Sequence, residues 1–172
     1  MITKLRDDVF IFDLWSPAYC RKLLARFEKL PREAPNTMNK YGRRVVGDEL
    51  RRLLARVVER EVVPRLDDFT TKIGPLKKNP YGFVVDYSPR TQGSLAKHVD
   101  VGSAVTLNVC LGHEWSGGDL IFYDAAARKR EVTVAHSVGQ AILHRGDHVH
   151  RATAVTTGRR TNLILWCGAR AA

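Results

Sequence analysis

The chain has 172 residues, of which 44% are hydrophobic and 27% charged, and its formal net charge is +10. This length fits one domain with a substantial core, and the composition is typical of an ordinary soluble globular protein rather than a disordered one. No apolar run approaches the roughly 18 to 20 residues of a membrane span, so the sequence excludes an integral helical membrane protein.

The first residues contain no basic segment that leads into an apolar stretch, so we predict no signal peptide. Cys20, Cys110 and Cys167 are odd in number and widely spaced, and they form no Cys-x-x-Cys pattern. A disulfide framework is therefore not expected, and the sequence predicts a protein of the reducing cytoplasm. Cys110 and Cys167 lie in apolar, strand-like runs and are predicted to be buried, inert thiols.

The basic excess lies mostly in the first half of the chain. Residues 1–80 carry a net charge of +7, and residues 81–172 carry +3. A positive field would attract acidic ligands, nucleic acid or an acidic peptide. A solvated face of Arg-rich helices would explain the same numbers, and the sequence leaves both interpretations open.

Residues 1–80 are predicted to be mainly helical. The apolar run 9–12 is a candidate edge strand. Ser16 and Pro17 then predict the start of a helix, and Pro31 its end. After a polar loop over residues 32–47, Asp48 is the expected cap of a second helix that stops before Pro64. Both helices have the apolar spacing of elements that pack against one face of a sheet.

From residue 81 onward, short β-branched and aromatic runs alternate with Gly, Pro and Asp turns, a pattern typical of an antiparallel sandwich or barrel. We predict an α+β, mainly β fold: a double-stranded β-helix (jelly roll) over residues 81–172, buttressed by the helices of residues 1–80 within one domain. The predicted strands are 83–87, 104–111, 119–123, 131–135, 140–144, 151–155, 161–167 and a segment that carries His98.

A possible metal site begins with His98 and Asp100. On an extended segment, side chains two positions apart point to the same side. One more histidine would complete a set of two imidazoles and one carboxylate, which suits Fe(II) because it leaves coordination positions open. Taken alone, the pair is weak evidence, because a surface histidine next to a turn aspartate gives the same pattern by chance. Four histidines follow as candidates for the third ligand: His136, His144, His148 and His150.

Residues from about 81 to 167 resemble the catalytic core of the 2-oxoglutarate and Fe(II)-dependent oxygenases, in particular the prolyl and lysyl hydroxylases. Residues 1–80 carry no motif that we can match to this family. The matching segments are AVTLNVCLG at 104–112, GGDL at 117–120, GQAILHRG at 139–146 and GRRTNLILW at 158–166.

This resemblance implies that His98, Asp100 and His150 bind Fe(II). Only His150 has Gly158 eight and Arg160 ten positions downstream, as the hydroxylase pattern requires. His148 is the alternative third ligand, and His136 and His144 are predicted to be structural or exposed.

The resemblance further implies that Arg160 binds the C5 carboxylate of 2-oxoglutarate, which a planar guanidinium can grip through two hydrogen bonds. Arg159 is the alternative and would point to the other side of its strand.

Four further residues are predicted to contact the cosubstrate or line its cavity. Tyr87 stands near the place where family members carry a tyrosine that reaches the cosubstrate carboxylate. Thr106 and Asn108 alternate on one strand face, and Asn162 lies on the same face as Arg160. A hydrogen-bonded position in the core is the alternative for Tyr87, Thr106 and Asn108.

The predicted activity is hydroxylation of an unactivated C–H bond in a peptide, a protein or an amino-acid side chain, with succinate and CO2 as products. The cofactors are Fe(II), 2-oxoglutarate and O2, with ascorbate as a further candidate. The chain is expected to be a monomer or homodimer without a membrane partner. Two alternatives remain: an AlkB-type nucleic-acid demethylase, although Trp166 replaces that group's second Arg, and a non-catalytic metal-binding jelly roll.

Overall fold

The computed structural model describes residues 1–6, 8–62, 64, 80–124 and 131–168. Two α-helices occur in this part of the chain, α1 (Pro17–Phe27) and α2 (Asp48–Val57), and a π-helical turn over Val58–Val62 continues α2. The strands are β1 (Ile2–Arg6), β2 (Val9–Asp13), β3 (Arg44–Val45), β4 (Tyr81–Tyr87), β5 (Leu95–His98), β6 (Val105–Gly112), β7 (Trp115–Gly117), β8 (Leu120–Tyr123), β9 (Glu131–Val134), β10 (Gln140–Arg145), β11 (His150–Ala152), β12 (Val155–Gly158) and β13 (Arg160–Cys167).

The strands form antiparallel sheets. The larger sheet has seven strands in the order β1-β2-β10-β6-β13-β4-β3, and a second sheet has four in the order β5-β11-β8-β9. Strands β12 and β7 form a separate two-stranded ribbon. The predicted mainly β fold with antiparallel sheets and supporting helices is thus confirmed.

Two apolar clusters define three layers. The first cluster joins both helices to one face of the large sheet, where alternate residues of the central strands meet the apolar sides of the helices. The second lies on the opposite face of that sheet and includes residues of the four-stranded sheet, such as Leu120, Phe122 and Ala152. The candidate site lies on this second face, away from the helices.

Helix α1 begins where the sequence predicts. The Ser16 hydroxyl accepts a hydrogen bond from the backbone N–H of Tyr19, and Pro17 occupies the first turn. The predicted cap of α2 is wrong. Asp48 is already helical, and Gly47 precedes it without a side-chain hydrogen bond. Carboxylates near a helix N-terminus are favourable inside the first turn as well as at the cap, so composition alone does not separate these positions.

Three further details differ from the sequence prediction. Strand β2 is not an edge strand, because β1 pairs with its outer side. The segment 32–47 is not only a loop, since β3 pairs with β4 there. The predicted run 151–155 is divided between β11 and β12, which belong to different sheets. In each case pairing with a distant strand decides the outcome, and local pattern does not encode it.

The three cysteines are free and buried, which confirms the predicted burial of Cys110 and Cys167. Burial raises the pKa of Cys110 and Cys167 to about 12, so both remain protonated and inert near neutral pH. No helix in the described ranges combines the length and apolarity needed to cross a bilayer.

Candidate metal centre

Strand pairing brings the proposed metal ligands together. His98 ends β5 and His150 begins β11, and the two residues are direct partners in the antiparallel register. Asp100 follows His98 by two residues. One ligand atom from each of the three side chains lies within 4.8 Å of the other two. His98 Nε2 is 3.7 Å from Asp100 Oδ1, and His150 Nε2 is 3.9 Å from Asp100 Oδ2.

Both imidazoles are oriented by backbone carbonyls. His98 Nδ1 lies 2.8 Å from the Ala96 oxygen, and His150 Nδ1 lies 2.9 Å from the His148 oxygen. A carbonyl only accepts hydrogen bonds, so Nδ1 carries the proton in each ring and Nε2 keeps its lone pair. A hydrogen bond from the opposite ring nitrogen to a carbonyl is the contact that prepares a histidine to bind a metal through Nε2.

Asp100 is held in place through both its backbone and its side chain. Its backbone N–H donates to the Gly146 oxygen at 2.7 Å, and the Thr106 hydroxyl donates to Oδ2 at 2.6 Å. The side chain is only 8% exposed. A buried carboxylate and two imidazole lone pairs that face one another are three acceptors, and a divalent metal ion satisfies all three.

The buried histidines are neutral, as metal ligands must be. Burial lowers the pKa of His150 well below its usual value, and the neighbouring His144 and His98 lower it further. Burial likewise lowers the pKa of His144, whose Nε2 lies 3.8 Å from Asp100 Oδ2. Metal binding at this site therefore does not need to displace a proton from the His150 imidazole at neutral pH.

The remaining candidate histidines occupy distinct places. His148 is half-buried, and its ring packs edge-on against Phe122 at 5.5 Å between centroids. His144 is buried beside the three proposed metal ligands (the ligand group), and its Nδ1 is bonded to the Arg145 carbonyl. His136 is also buried and lies in contact with Asn162. The geometry favours His150 over His148 as the third ligand.

A cavity of 520 Å³ opens onto the ligand group. Its walls are mostly apolar, and three aromatic side chains contribute to them: Phe83, Tyr87 and Trp166. His98, Asp100 and His150 lie in the same wall surface, together with His144. A mainly apolar cavity with a few polar groups at one place is the usual form of a small-molecule or side-chain site.

Arg160 lies behind this wall and not in it. The side chain is 1% exposed, and its guanidinium carbon is 4.9 Å from the centroid of the Tyr87 ring. Nη1 donates to the Gly118 carbonyl, whereas Nε and Nη2 have no hydrogen-bond partner among the described residues. Unpaired N–H groups of a buried cation are costly, and a carboxylate would satisfy both at once. The donor set therefore fits an anionic ligand beside the metal ligands.

The structure separates the other predicted cosubstrate residues into two groups. Tyr87, Thr106 and Asn108 line the cavity, and Thr106 also bonds to Asp100. Asn162 is fully buried behind the wall, where its Nδ2 donates to Asn108 Oδ1 at 2.6 Å. Asn162 thus supports the wall but does not form part of it.

Part of the cavity wall comes from the N-terminal half, which the sequence did not indicate. Residues 36–39 and Arg43 line it, although no motif marks them. Gln92 fixes this loop, because its Nε2 donates to the Met38 carbonyl at 2.7 Å. Arg43 packs over Phe83 at 4.3 Å from the ring centroid. The polar composition of residues 32–47 was the only available signal, and it predicts a loop without saying what the loop covers.

We expect His136 to make the metal-free protein sensitive to acid. Burial lowers its pKa to about 3, although its hydrogen bond to the Gln140 carbonyl opposes that shift. Between the ordinary histidine pKa of about 6.5 and this value, the unfolded chain binds a proton that the folded chain excludes, so stability falls as the pH falls.

From pH 7 to pH 5, the wild type should therefore lose about 1–2 kcal/mol more unfolding free energy than His136→Gln. Urea denaturation of both proteins at both pH values measures this difference. A uniform destabilisation of the variant does not affect the comparison. Equal losses in the two proteins would contradict the assignment of a neutral, buried His136.

Comparison with known proteins gives the chain a set of relatives. No protein-family model matches it. It is 36% identical over 186 residues to the 2-oxoglutarate and iron-dependent oxygenase domain-containing protein CP2 of Arabidopsis thaliana, covering 97% of this chain and 47% of that protein. It is 33% identical over 176 residues to the 2-oxoglutarate and iron-dependent oxygenase domain-containing protein 2 of Homo sapiens, covering 95% and 49%. The chain spans about half the length of the curated relatives it matches.

Solved structures share the fold. An oxidoreductase of the 2OG-Fe(II) oxygenase family from Burkholderia pseudomallei superimposes with a TM-score of 0.71 at 14% identity, covering 95% of this chain and 86% of that one. A prolyl-4-hydroxylase from Pseudomonas putida gives 0.68 at 16% identity, covering 95% and 94%. The viral collagen prolyl hydroxylase of Paramecium Bursaria Chlorella virus-1, in its 2OG complex, gives 0.70 at 15%, covering 95% and 97%.

The resemblance predicted from the sequence is confirmed, because the curated homologues are named as 2-oxoglutarate and iron-dependent oxygenase domain proteins. They support the predicted class, an Fe(II)/2-oxoglutarate-dependent dioxygenase, and its two cofactors, iron and 2-oxoglutarate. The alignments cover nearly the whole chain, so the homology extends into residues 1–80, where no motif was recognised.

Proposed function

We propose that this chain, a homologue of 2-oxoglutarate and iron-dependent oxygenase domain proteins, hydroxylates an unactivated C–H bond in a peptide, a protein or an amino-acid side chain. The observation that carries the proposal is the convergence of His98, Asp100 and His150 at the wall of a 520 Å³ cavity. Behind that wall lies Arg160, a buried cation in which two nitrogens, Nε and Nη2, have no hydrogen-bond partner in the described structure.

The proposed ligands act as a preformed set. His98 and His150 offer Nε2 lone pairs because their Nδ1 protons are bonded to carbonyls, and Asp100 adds one carboxylate that Thr106 holds in place. Two imidazoles and one carboxylate leave coordination positions open for a chelating ligand and O2. When bound, iron and 2-oxoglutarate supply the oxidising chemistry and yield succinate and CO2.

We assign the distal carboxylate of 2-oxoglutarate to Arg160. The guanidinium cannot lose its charge and can form two parallel hydrogen bonds to a carboxylate. Nη1 bonds to the Gly118 carbonyl, and Nε and Nη2, which have no hydrogen-bond partner among the described residues, are the atoms that we assign to the carboxylate, beside the Tyr87 ring. Tyr87 and Asn108 contact the same ligand in this proposal, and Asn162 acts through Asn108.

The cavity would accept the substrate side chain. Its apolar walls, which include Leu95 and Ile164, exclude water from the reacting C–H bond and bind a hydrocarbon segment by burial. Val99 and Val101 flank Asp100, line the cavity and are exposed, which supplies an apolar rim for a larger substrate. A prolyl hydroxylase structure of the same fold, from Trichoplax adhaerens, contains a hypoxia inducible factor peptide fragment. A peptide or protein is therefore the substrate that we propose.

The two sheets and their connections are consistent with a double-stranded β-helix, and we propose this fold for residues 81–172. We further propose one domain, in which residues 1–80 supply the helical support. Strands β1 and β2 extend the large sheet beyond β10, so the contribution of the N-terminal part includes strands as well as helices.

An AlkB-type demethylase of nucleic acid is a weaker candidate. The net charge of +10 favours it. However, Trp166 occupies the position where that group extends its motif with a second Arg, and its indole lies in the cavity wall between Tyr81 and Phe83. A non-catalytic metal-binding protein is the other alternative, and the unpaired N–H groups of Arg160 argue against it.

A succinate-coupled assay tests these functions against one another. We expect Fe(II)- and 2-oxoglutarate-dependent succinate formation to rise with a peptide pool and not with methylated oligonucleotides, and mass spectrometry to find a gain of one oxygen in the peptide. Asp100→Asn is the matched control, since it keeps the volume and removes the charge. Turnover only with oligonucleotides would favour the demethylase, and no turnover or 2-oxoglutarate binding would favour the metal-binding protein.

A further inference from the structure

A chain of buried hydrogen bonds leads from a backbone carbonyl to the cavity. His136 Nε2 lies 2.8 Å from the Gln140 oxygen, and His136 Nδ1 lies 3.3 Å from Asn162 Nδ2. The same Nδ2 donates to Asn108 Oδ1 at 2.6 Å. His136 and Asn162 are absent from the cavity wall, whereas Asn108 is part of it.

The donor and the acceptor of each hydrogen bond in this series follow from the first bond, between His136 and the Gln140 carbonyl. The Gln140 carbonyl only accepts, so His136 Nε2 must carry the proton. Because burial keeps this histidine neutral, its Nδ1 is an acceptor and must face a donor. The Asn162 group that faces it is therefore the amide nitrogen, whose second proton goes to Asn108 Oδ1. The carboxamide of Asn108 thus has its oxygen turned away from the cavity.

Asn162 is held in this orientation at a cost. Its Oδ1 is buried and has no hydrogen-bond partner among the described residues. An unsatisfied buried carbonyl is unfavourable by about 1–3 kcal/mol, so the two donor bonds must outweigh it. Rotation of the amide by 180° would place its oxygen against the Nδ1 lone pair of His136. The orientation is consequently fixed by His136 and not by Asn162 alone.

Asn108 is left with a free donor beside the metal ligands. Its Nδ2 makes no hydrogen bond to any described residue, and the side chain is 7% exposed in the cavity wall. Asn108 follows Thr106 by two residues on β6, which is about 7 Å along the strand on the same face. Thr106 itself bonds to Asp100. The residue with the free N–H group is therefore the neighbour, on one face of β6, of the threonine that holds the proposed metal ligand Asp100.

We propose that Asn108 donates this N–H to a carboxylate oxygen of 2-oxoglutarate, and that His136 and Asn162 are positioning residues that fix its polarity. This inference rests on the proposed function. It assigns a role to His136, which the sequence indicated only as structural or exposed. It also explains why two amides and one imidazole are buried together in an otherwise apolar layer, since each bond in the chain determines the next.

Asn108→Asp tests the polarity of the donor directly. The substitution is isosteric and keeps an oxygen for the Asn162 amide, but it replaces the cavity-facing N–H with a carboxylate oxygen. With Mn(II) in place of iron, we expect calorimetry to show 2-oxoglutarate binding weakened on the order of 30-fold, because a charge-assisted hydrogen bond becomes a repulsion. Affinity for Mn(II) alone should not fall.

The matched control is Asn36→Asp, which places the same charge elsewhere in the cavity. Asn36 Oδ1 accepts hydrogen bonds from the backbone N–H groups of Met38 and Asn39, and an aspartate oxygen preserves both. This variant should bind 2-oxoglutarate within about threefold of the wild type. Equal weakening in the two variants would show a general charge effect and overturn the assignment of Asn108.

A double-mutant cycle tests the role of His136. His136→Phe should weaken 2-oxoglutarate binding by about three- to tenfold and leave Mn(II) affinity unchanged, because Asn162 loses the acceptor that orients it. In an Asn108→Leu background, which has no donor to orient, His136→Phe should have no further effect. Additive losses would mean that His136 acts only through general stability, and the positioning role would be wrong.

The outcomes separate this inference from the proposed function. Failure of the wild-type protein to bind 2-oxoglutarate in the presence of Mn(II) would contradict the proposed function itself. Wild-type binding that depends on Asp100 but is unchanged in both Asn108→Asp and Asn108→Leu would leave the function in place and overturn the donor. The Leu variant also covers the case in which the Asp variant does not fold.

Discussion

His150→Ala is expected to abolish turnover and to weaken ferrous-ion binding by more than about 100-fold, which exceeds the loss usual for an outer-sphere partner. The imidazole supplies one of three converging donor atoms, and its Nε2 lies 3.9 Å from Asp100 Oδ2. Removal leaves a single imidazole and one carboxylate, too few protein ligands for this ion. Metal binding is measured by competition with a chromophoric chelator, and turnover by succinate formation.

His148→Ala is the matched control. His148 is two residues from His150 and shares its contact with Phe122. His150 is oriented by the hydrogen bond that its Nδ1 donates to the backbone carbonyl of His148, which the alanine variant retains. We expect turnover and metal affinity within about twofold of the wild type. Loss of metal in His148→Ala, with retention in His150→Ala, would show that His148 is the third ligand.

Arg160→Met is expected to stabilise the ligand-free protein while it destroys 2-oxoglutarate binding. The guanidinium is almost completely buried, and its Nε and Nη2 have no hydrogen-bond partner in the described structure. Each unsatisfied group is unfavourable by about 1–3 kcal/mol, whereas a methionine fills much of the same volume without polar atoms. Part of the gain is offset, since the variant also loses the bond to the Gly118 carbonyl.

The net effect should be a gain of about 1–2 kcal/mol, or roughly 2–8 °C in melting temperature for a chain of this size. Binding of 2-oxoglutarate should weaken on the order of 100-fold, because the variant removes one partner of a buried charge pair. Thermal denaturation with and without 2-oxoglutarate and Mn(II) measures both effects. In the wild type the ligand should raise the melting temperature, and in the variant it should not.

Arg159→Met is the control for this experiment. Arg159 is the preceding residue and points to the helix side of the sheet, where it contacts Asp86 and Glu28. Its Nη1 and Nη2 donate to Glu28 and Asp86, so we expect no gain in stability and an unchanged response to 2-oxoglutarate. Destabilisation by Arg160→Met together with normal 2-oxoglutarate binding would show that Arg160 is a structural residue.

The site could be predicted from the sequence where short-range geometry determines it. The spacing of His98 and Asp100 places both side chains on one side of an extended segment, and the structure shows this arrangement. The choice of His150 over His148 depended on the family pattern, and the strand register with His98 now supports it. In both cases the information lies in positions that are only two residues apart in the sequence.

The remaining features depend on contacts that the sequence does not encode locally. Residues 36–39 line the cavity because Gln92, more than fifty residues away, holds the Met38 carbonyl. No sequence pattern marks His136, because its contact with Asn162 exists only in the folded chain. The position of Arg160 behind Tyr87 likewise depends on packing between β13 and β4. Such long-range contacts are set by the tertiary fold and not by the periodicity of a segment.

Anaerobic titration of the metal-free protein with Fe(II), followed by 2-oxoglutarate, tests the central claim most directly. We predict one ferrous ion per chain and, on addition of 2-oxoglutarate, a visible charge-transfer band of the chelated 2-oxo acid. Both signals should be absent from His98→Ala. A wild-type protein that binds no ferrous ion, or a band that persists without His98, would contradict the assignment of this site.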